Sequence, residues 1–131
     1  MKQIVITKHG NSDVLKIQEK ADPIPSSGEV LIKVKAIGIN FADILARKGL
    51  YPDAPKPPCV VGYEVSGVIE SVGQGVDSSK IGNPVLALTR FNGYSDKVCV
   101  SEKAVFPIPE SLDFEKAAVI PVNYLTAYQL V

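Results

Sequence analysis

Cysteine is scarce: Cys59 and Cys99 are the only two among 131 residues, far apart and without Cys-x-x-Cys spacing. Neither a disulfide scaffold nor a zinc knuckle is signalled. Histidine is scarcer still. His9 stands alone in an N-terminal turn, where a solvated surface role suits it better than metal ligation. Excess charge is also missing, since 14 Lys and Arg balance 14 Asp and Glu. Nucleic acid and anionic membrane both need a basic face, so neither is expected as the main partner, and membrane association finds no support here. No apolar run approaches membrane-spanning length, and the opening MKQIVITK is a strand pattern without a signal-peptide core. A reducing, cytoplasmic setting is the expectation. Repeats and low-complexity segments are absent as well.

What is present reads as one globular domain over 1–131 with a modest core: 46% hydrophobic and 21% charged residues. Ten glycines and ten prolines favour a turn-rich, mainly β chain. Strands are predicted over 3–7, 14–19, 29–39, 64–72, 83–88, 93–100 and 104–108, with a turn-rich linker at 21–28. The 14–19 run alternates as a half-buried strand does. Lys33, Lys35, Lys97 and Lys103 fall on solvated strand faces. A helix is predicted over 40–49, with Asn40 as N-cap, Asp43 as capping partner and Gly49 as stop. A second begins after Asp113, is broken at Pro121, and restarts toward residue 131.

The stretch VGYEVSGVIESVGQGV (61–76) raises the question of a phosphate-binding loop. A dinucleotide fingerprint needs Gly-x-Gly-x-x-Gly between strand and helix. Here Gly73 and Gly75 are followed by Ser78 in third place, and no amphipathic helix comes next. No Gly-Lys-Ser/Thr occurs either. Gly73 and Gly75 read as a turn, and Gly62 and Gly67 as close backbone approach beside a strand.

The order of motifs AIGINFAD, VVGYEVSGVIESVG, NGYSDKVCV and IPESLDFEKAAVIPVNYLTAY resembles the N-terminal, GroES-like domain of the medium-chain dehydrogenase/reductase superfamily. It is most similar to the zinc-free quinone oxidoreductase branch. Within that branch, GINFADILARKGLYP and VNYLTAY resemble the vesicle amine transport protein subfamily. The resemblance implies a twisted, partly open β-barrel packed against a Rossmann domain beginning beyond Val131. Residues 1–131 alone are therefore expected to fold but to be inactive, with Leu125, Tyr128 and Leu130 exposed. A homodimer is expected.

The resemblance also places the chemistry. Zinc alcohol dehydrogenases have cysteine where Asn40 stands and histidine where Tyr63 stands, so no metal is expected. NADPH is implied as cofactor, mainly bound by the second domain, and a quinone or α,β-unsaturated carbonyl as substrate. Asn40, Tyr51 and Tyr63 are the implied catalytic residues; Asn40, Asn123 and Thr126 face the nicotinamide end. Each has a plainer reading. Asn40 is a helix cap, Tyr63 a core aromatic, and Tyr51 a loop anchor on Pro52 or Pro55. Thr126 is a helical threonine bonded back to a carbonyl, Glu64 a structural hydrogen-bonding acid, and Cys59 a small buried hydrophobe. The rival functions are a zinc alcohol dehydrogenase and a non-enzymatic, membrane-associated or binding module on the same scaffold.

Overall fold

The computed structural model describes residues 1–131. A hairpin of β1 (Lys2–Ile6) and β2 (Leu15–Glu19) opens the chain. Then follow β3 (Glu29–Ile37), α1 (Phe41–Arg47), β4 (Glu64–Val72), β5 (Pro84–Leu88), β6 (Lys97–Ser101) and β7 (Val105–Pro107). The last five strands form an antiparallel sheet in the order β6-β3-β4-β5-β7. Bridges from Gln3 to Ser95 and from Ile6 to Cys59 tie the hairpin to the rest. The two sheets do not close, as expected of a partly open barrel.

The sheet buries Val30, Ile32, Val65, Ile69, Val76, Val85, Ala87, Val98 and Val100 as one cluster. Burial of each Val or Ile side chain contributes roughly 1.5–3 kcal/mol. In β3 the expected alternation runs through Val30, Ile32 and Val34. A register shift between Val34 and Ala36 then reverses the faces, so Ile37 rather than Ala36 packs on the core.

Three expectations need correction. β2 alternates but is not half-buried: Ile17 is exposed, because β2 pairs only with β1. The predicted 93–100 strand begins only at Lys97. Left-handed Arg90 (φ 57) and Asn92 (φ 66) turn the chain aside, and Asn92, Gly93 and Tyr94 donate instead to the carbonyls of Val60, Gly62 and Val61. Lys97 is not simply solvated, since its ammonium lies 2.7 Å from Asp22 and 2.8 Å from Glu70. Of the glycines, Gly62 (φ 107) sits against Gly93 and Tyr94 with no room for a Cβ.

The C-terminal helical region also differs from two separate helices. α2 (Phe114–Ala118) starts at Asp113, whose side chain accepts the Lys116 amide at 2.7 Å. It continues into a widened turn, Ile120–Tyr124, and then α3 (Leu125–Gln129). Pro121 has no N–H and its ring crowds the preceding turn, so the helix opens rather than stops. The Tyr124 amide reaches back five residues to the Val119 carbonyl at 3.0 Å. The exposure of Leu125, Tyr128 and Leu130 is as expected.

Candidate functional site

Glu64, the first residue of β4, points inward and is 0% exposed. Only glycine at position 38 leaves it space, because a Cβ there would overlap the Glu64 carboxylate. Burying a carboxylate is costly unless its oxygens are hydrogen-bonded. Three donors meet it. Asn40 Nδ2 donates to Oε1 at 3.0 Å, the Val122 amide donates to Oε2 at 2.7 Å, and Asn123 Nδ2 donates to Oε1. The widened turn makes this possible. In a regular α-helix the Val122 amide would bond to the Ala118 carbonyl; here it is free for Glu64.

Asn40 caps α1 from an extended conformation. Its amide donates to Asp43 Oδ2 at 2.9 Å, while the Asp43 amide bonds chiefly to the Asn40 main-chain carbonyl at 3.0 Å, closing the capping box loosely. Asp43 is itself buried, and its Oδ2 also accepts the Tyr94 hydroxyl at 2.9 Å. Its Oδ1 has no full hydrogen bond; the Gly62 amide approaches too loosely to count as one. Burial raises the Asp43 pKa, against the pull of the Asn40 and Tyr94 hydrogen bonds.

Tyr51 and Tyr63 meet edge to face with centroids 6.3 Å apart, and Phe91 packs against Tyr63, tilted, at 5.4 Å. Such contacts fix ring orientation. Desolvation pushes the Tyr63 phenol pKa up, and the neighbouring Tyr51 hydroxyl, Asp43 and Asp53 push the same way. The phenol therefore holds its proton further into the alkaline range than an ordinary tyrosine and is available as a hydrogen-bond donor.

These elements enclose a cleft of about 350 Å³ lined by Asn40, Phe41, Ala42, Tyr51, Tyr63, Val122, Asn123 and Thr126. All five residues expected at the site thus line one cleft. Tyr51 is not only a loop anchor, although its ring also packs beside Ala54 and Cys59 on a small core cluster. Thr126 is exposed on α3, with its hydroxyl free of partners in the chain. Asn40 fills both its plain role, as cap, and a place in the cleft wall. A second groove, about 270 Å³ beneath the N-terminal hairpin, has its polar groups already matched: Asp96 accepts the Lys2 amide, and Gln3 donates to Ser95.

Three features escaped the sequence reading: the Val122 amide as a donor, Tyr94 as the partner of Asp43, and Glu64 as the junction between two walls. Pro121, within a helical pattern, was the available signal that a backbone N–H nearby would be released. The cysteines add no chemistry to the cleft, since burial raises both thiol pKa values.

The resemblance to alcohol dehydrogenases raises the matter of zinc. The donors at the cleft are amides, phenols and a hydroxyl, and Glu64 already receives three N–H groups. No group of three or more His, Cys, Asp or Glu side chains converges. This donor set does not fit a tetrahedral zinc site.

The alcohol dehydrogenase GroES-like domain family matches residues 26–110. The synaptic vesicle membrane protein VAT-1 homolog of Danio rerio is 46% identical over 128 residues, covering 97% of this chain and 26% of the relative. A quinone oxidoreductase of Lama guanicoe is 39% identical over 131 residues, covering 98% of this chain and 40% of the relative. The crystal structure of the human VAT-1 homolog-like protein superposes with a TM-score of 0.94 at 37% identity, covering 100% of this chain and 42% of that one. Escherichia coli quinone oxidoreductase complexed with NADPH gives 0.91 at 34% identity, covering 99% and 40%. This chain therefore spans well under half the length of these relatives. Its open antiparallel sheet, its capped helix after AIGIN and the matched span agree: the chain belongs to the alcohol dehydrogenase GroES-like domain family.

Proposed function

We propose that this chain forms the substrate-side part of a zinc-independent, NADPH-dependent oxidoreductase acting on quinones or α,β-unsaturated carbonyls. The observation that carries the reading is the cleft itself, with aromatic walls from Tyr51 and Tyr63 facing the amide and hydroxyl of Asn123 and Thr126. Relatives named quinone oxidoreductase, and one solved with NADPH, support it. The residues present fit the nicotinamide end of such a cofactor, and the remainder would be held by a nucleotide-binding domain outside these residues. When bound, NADPH supplies the hydride.

The chain's own residues do the rest. Tyr51 and Tyr63, set edge to face, form an apolar corner that orients a planar acceptor. The protonated Tyr63 phenol donates a hydrogen bond to the acceptor oxygen as negative charge develops there, the part metal plays in zinc relatives. Thr126 and Asn123 position the cofactor's carboxamide. Glu64 fixes Asn123 and Asn40 through their side-chain N–H groups.

A second reading, a non-enzymatic module associated with membranes, draws on the printed names of the vesicle-protein relatives. One experiment separates the two. Protein comprising this chain and its nucleotide-binding domain is assayed for NADPH oxidation with a panel of quinones and enones, with and without a chelator. Acceptor-dependent, chelator-resistant oxidation is expected. Absence of turnover with every acceptor would favour the second reading, and loss of activity on chelation would overturn zinc independence.

A further inference from the structure

Glu64 is a buried carboxyl with no cationic partner, and the three N–H groups aimed at its two oxygens are the donors a carboxylate accepts. It takes part in none of the six ion pairs of the chain, and its three partners are neutral amides. The neighbouring carboxyl of Asp43 is also buried and also meets no cation. None of the eight residues lining the cleft is Lys, Arg or His. The first turn of α1 is the one positive contribution, and Asp43 at its third position offsets it. A buried negative charge is screened less than an exposed one and so acts across several ångströms. Asn40 and Asn123 both line the cleft and donate to Glu64, so a single side chain separates the acid from a ligand in the cleft.

We propose that Glu64 makes this cleft select a flat ring bearing positive charge over a neutral ring of the same shape, and hence the oxidised over the reduced nicotinamide ring. This rests on the reading that the cleft takes a nicotinamide. The consequence for turnover is direct. With the cofactor bound, transfer of its hydride to the acceptor carbon, with a proton from water taken up at the acceptor oxygen, would leave one positive charge on the ring. Glu64 stabilises that charge, acting as a charge-bearing positioning residue that touches neither reactant.

Two small probes isolate the effect. 1-Methylnicotinamide is a cation, and 3-methylbenzamide is its neutral isostere. Both are titrated into the chain by NMR, following the backbone amides of Asn123 and Thr126. The cation should bind roughly tenfold more tightly than the isostere, the preference a unit charge gives at such range in an effective medium between water and dry protein. Aromatic faces also attract cations, so the decisive comparison is between variants. Glu64→Gln, which keeps shape and loses charge, should bring the ratio to about threefold or less, whereas Glu64→Asp should preserve it. If Glu64→Gln does not fold, the double variant Tyr51→Leu/Tyr63→Leu decides: a ratio that stays above about threefold supports Glu64, and one that collapses overturns it in favour of the aromatic faces. Equal binding of the two probes to the wild-type chain, or an unchanged ratio in folded Glu64→Gln, overturns charge selection and leaves the nicotinamide reading standing. Failure of both probes to perturb Asn123 and Thr126 overturns the two together.

Discussion

The core between β3, β4 and β6 and the cleft wall around Glu64 share strand β4 yet are stabilised by opposite means. Val30 and Ile32 bury apolar surface among Val65, Ile69, Val98 and Val100, with every contact interchangeable in kind. Glu64, on the same strand as Val65 and Ile69, is equally inaccessible but depends on three specific N–H donors. In the first region the stabilising quantity is area, and a substitution costs in proportion to what it removes. In the second it is complementarity, and removing one partner strands all the others. The cleft owes its shape to the second kind.

The contrast predicts a ranking of substitutions. Glu64→Leu, which leaves three donors facing hydrocarbon, should destabilise the chain by about 3–5 kcal/mol. It should also free the Val122 amide to exchange with solvent. Ile32→Ala should cost about 2–5 kcal/mol in chemical denaturation while leaving the Asn123 and Thr126 resonances in place, because the core supports the sheet but does not touch the cleft. Equal disturbance of those resonances by both substitutions would erase the distinction between the regions. Tyr94→Phe should cost about 1–2 kcal/mol, since Asp43 Oδ2 loses one of its two donors.

pH tests the same point. Desolvation first, then the Asp43 charge and hydrogen bond, raise the Tyr94 pKa above its ordinary 10.0. The folded state thus holds this proton more tightly than the unfolded one. That contribution is complete below pH 10 and is lost as pH rises beyond it. A thermal-melt series should show an alkaline decline that is smaller in Tyr94→Phe. The smallest effect belongs to the surface. Hydrogen bonds from Lys97 and the N-terminus lower the Asp22 pKa to about 2 from 3.8. Its contribution is present above 3.8 and fades as pH falls toward 2. Asp22→Asn should flatten that acid slope and change little at neutral pH, because the group is solvated.

The difference between the two regions is also the difference in what the sequence reveals. β3 and β4 announce themselves by alternation, and Asn40 and Asp113 by capping chemistry, because these are relations among residues a few positions apart. The Glu64 junction joins positions separated by 58 and 59 residues, and no local pattern encodes such a meeting. Resemblance to a family brought Asn40, Tyr51, Tyr63, Asn123 and Thr126 together; composition and spacing alone did not. The misread pieces have physical causes. β2 alternates without a second sheet to cover it. Residues 93–96, Gly-Tyr-Ser-Asp, are mostly turn formers ahead of the true strand, and left-handed Asn92 turns them out of the ladder. The broken helix at Pro121 is a widened one, because opening the turn costs less than ending it when Glu64 waits to accept the released amide.

The central claim is that a phenol, and not a metal, meets the charge that develops on the acceptor in this cleft. The most direct measurement compares Tyr63→Phe with the parent protein, joined to the proposed nucleotide-binding domain, in NADPH-dependent reduction of several quinones. The account predicts a fall in kcat of roughly 10²- to 10³-fold with NADPH affinity changed little, as for loss of a principal oxyanion donor. Unchanged kcat across the quinones would contradict it and leave Tyr63 a packing residue between Tyr51 and Phe91.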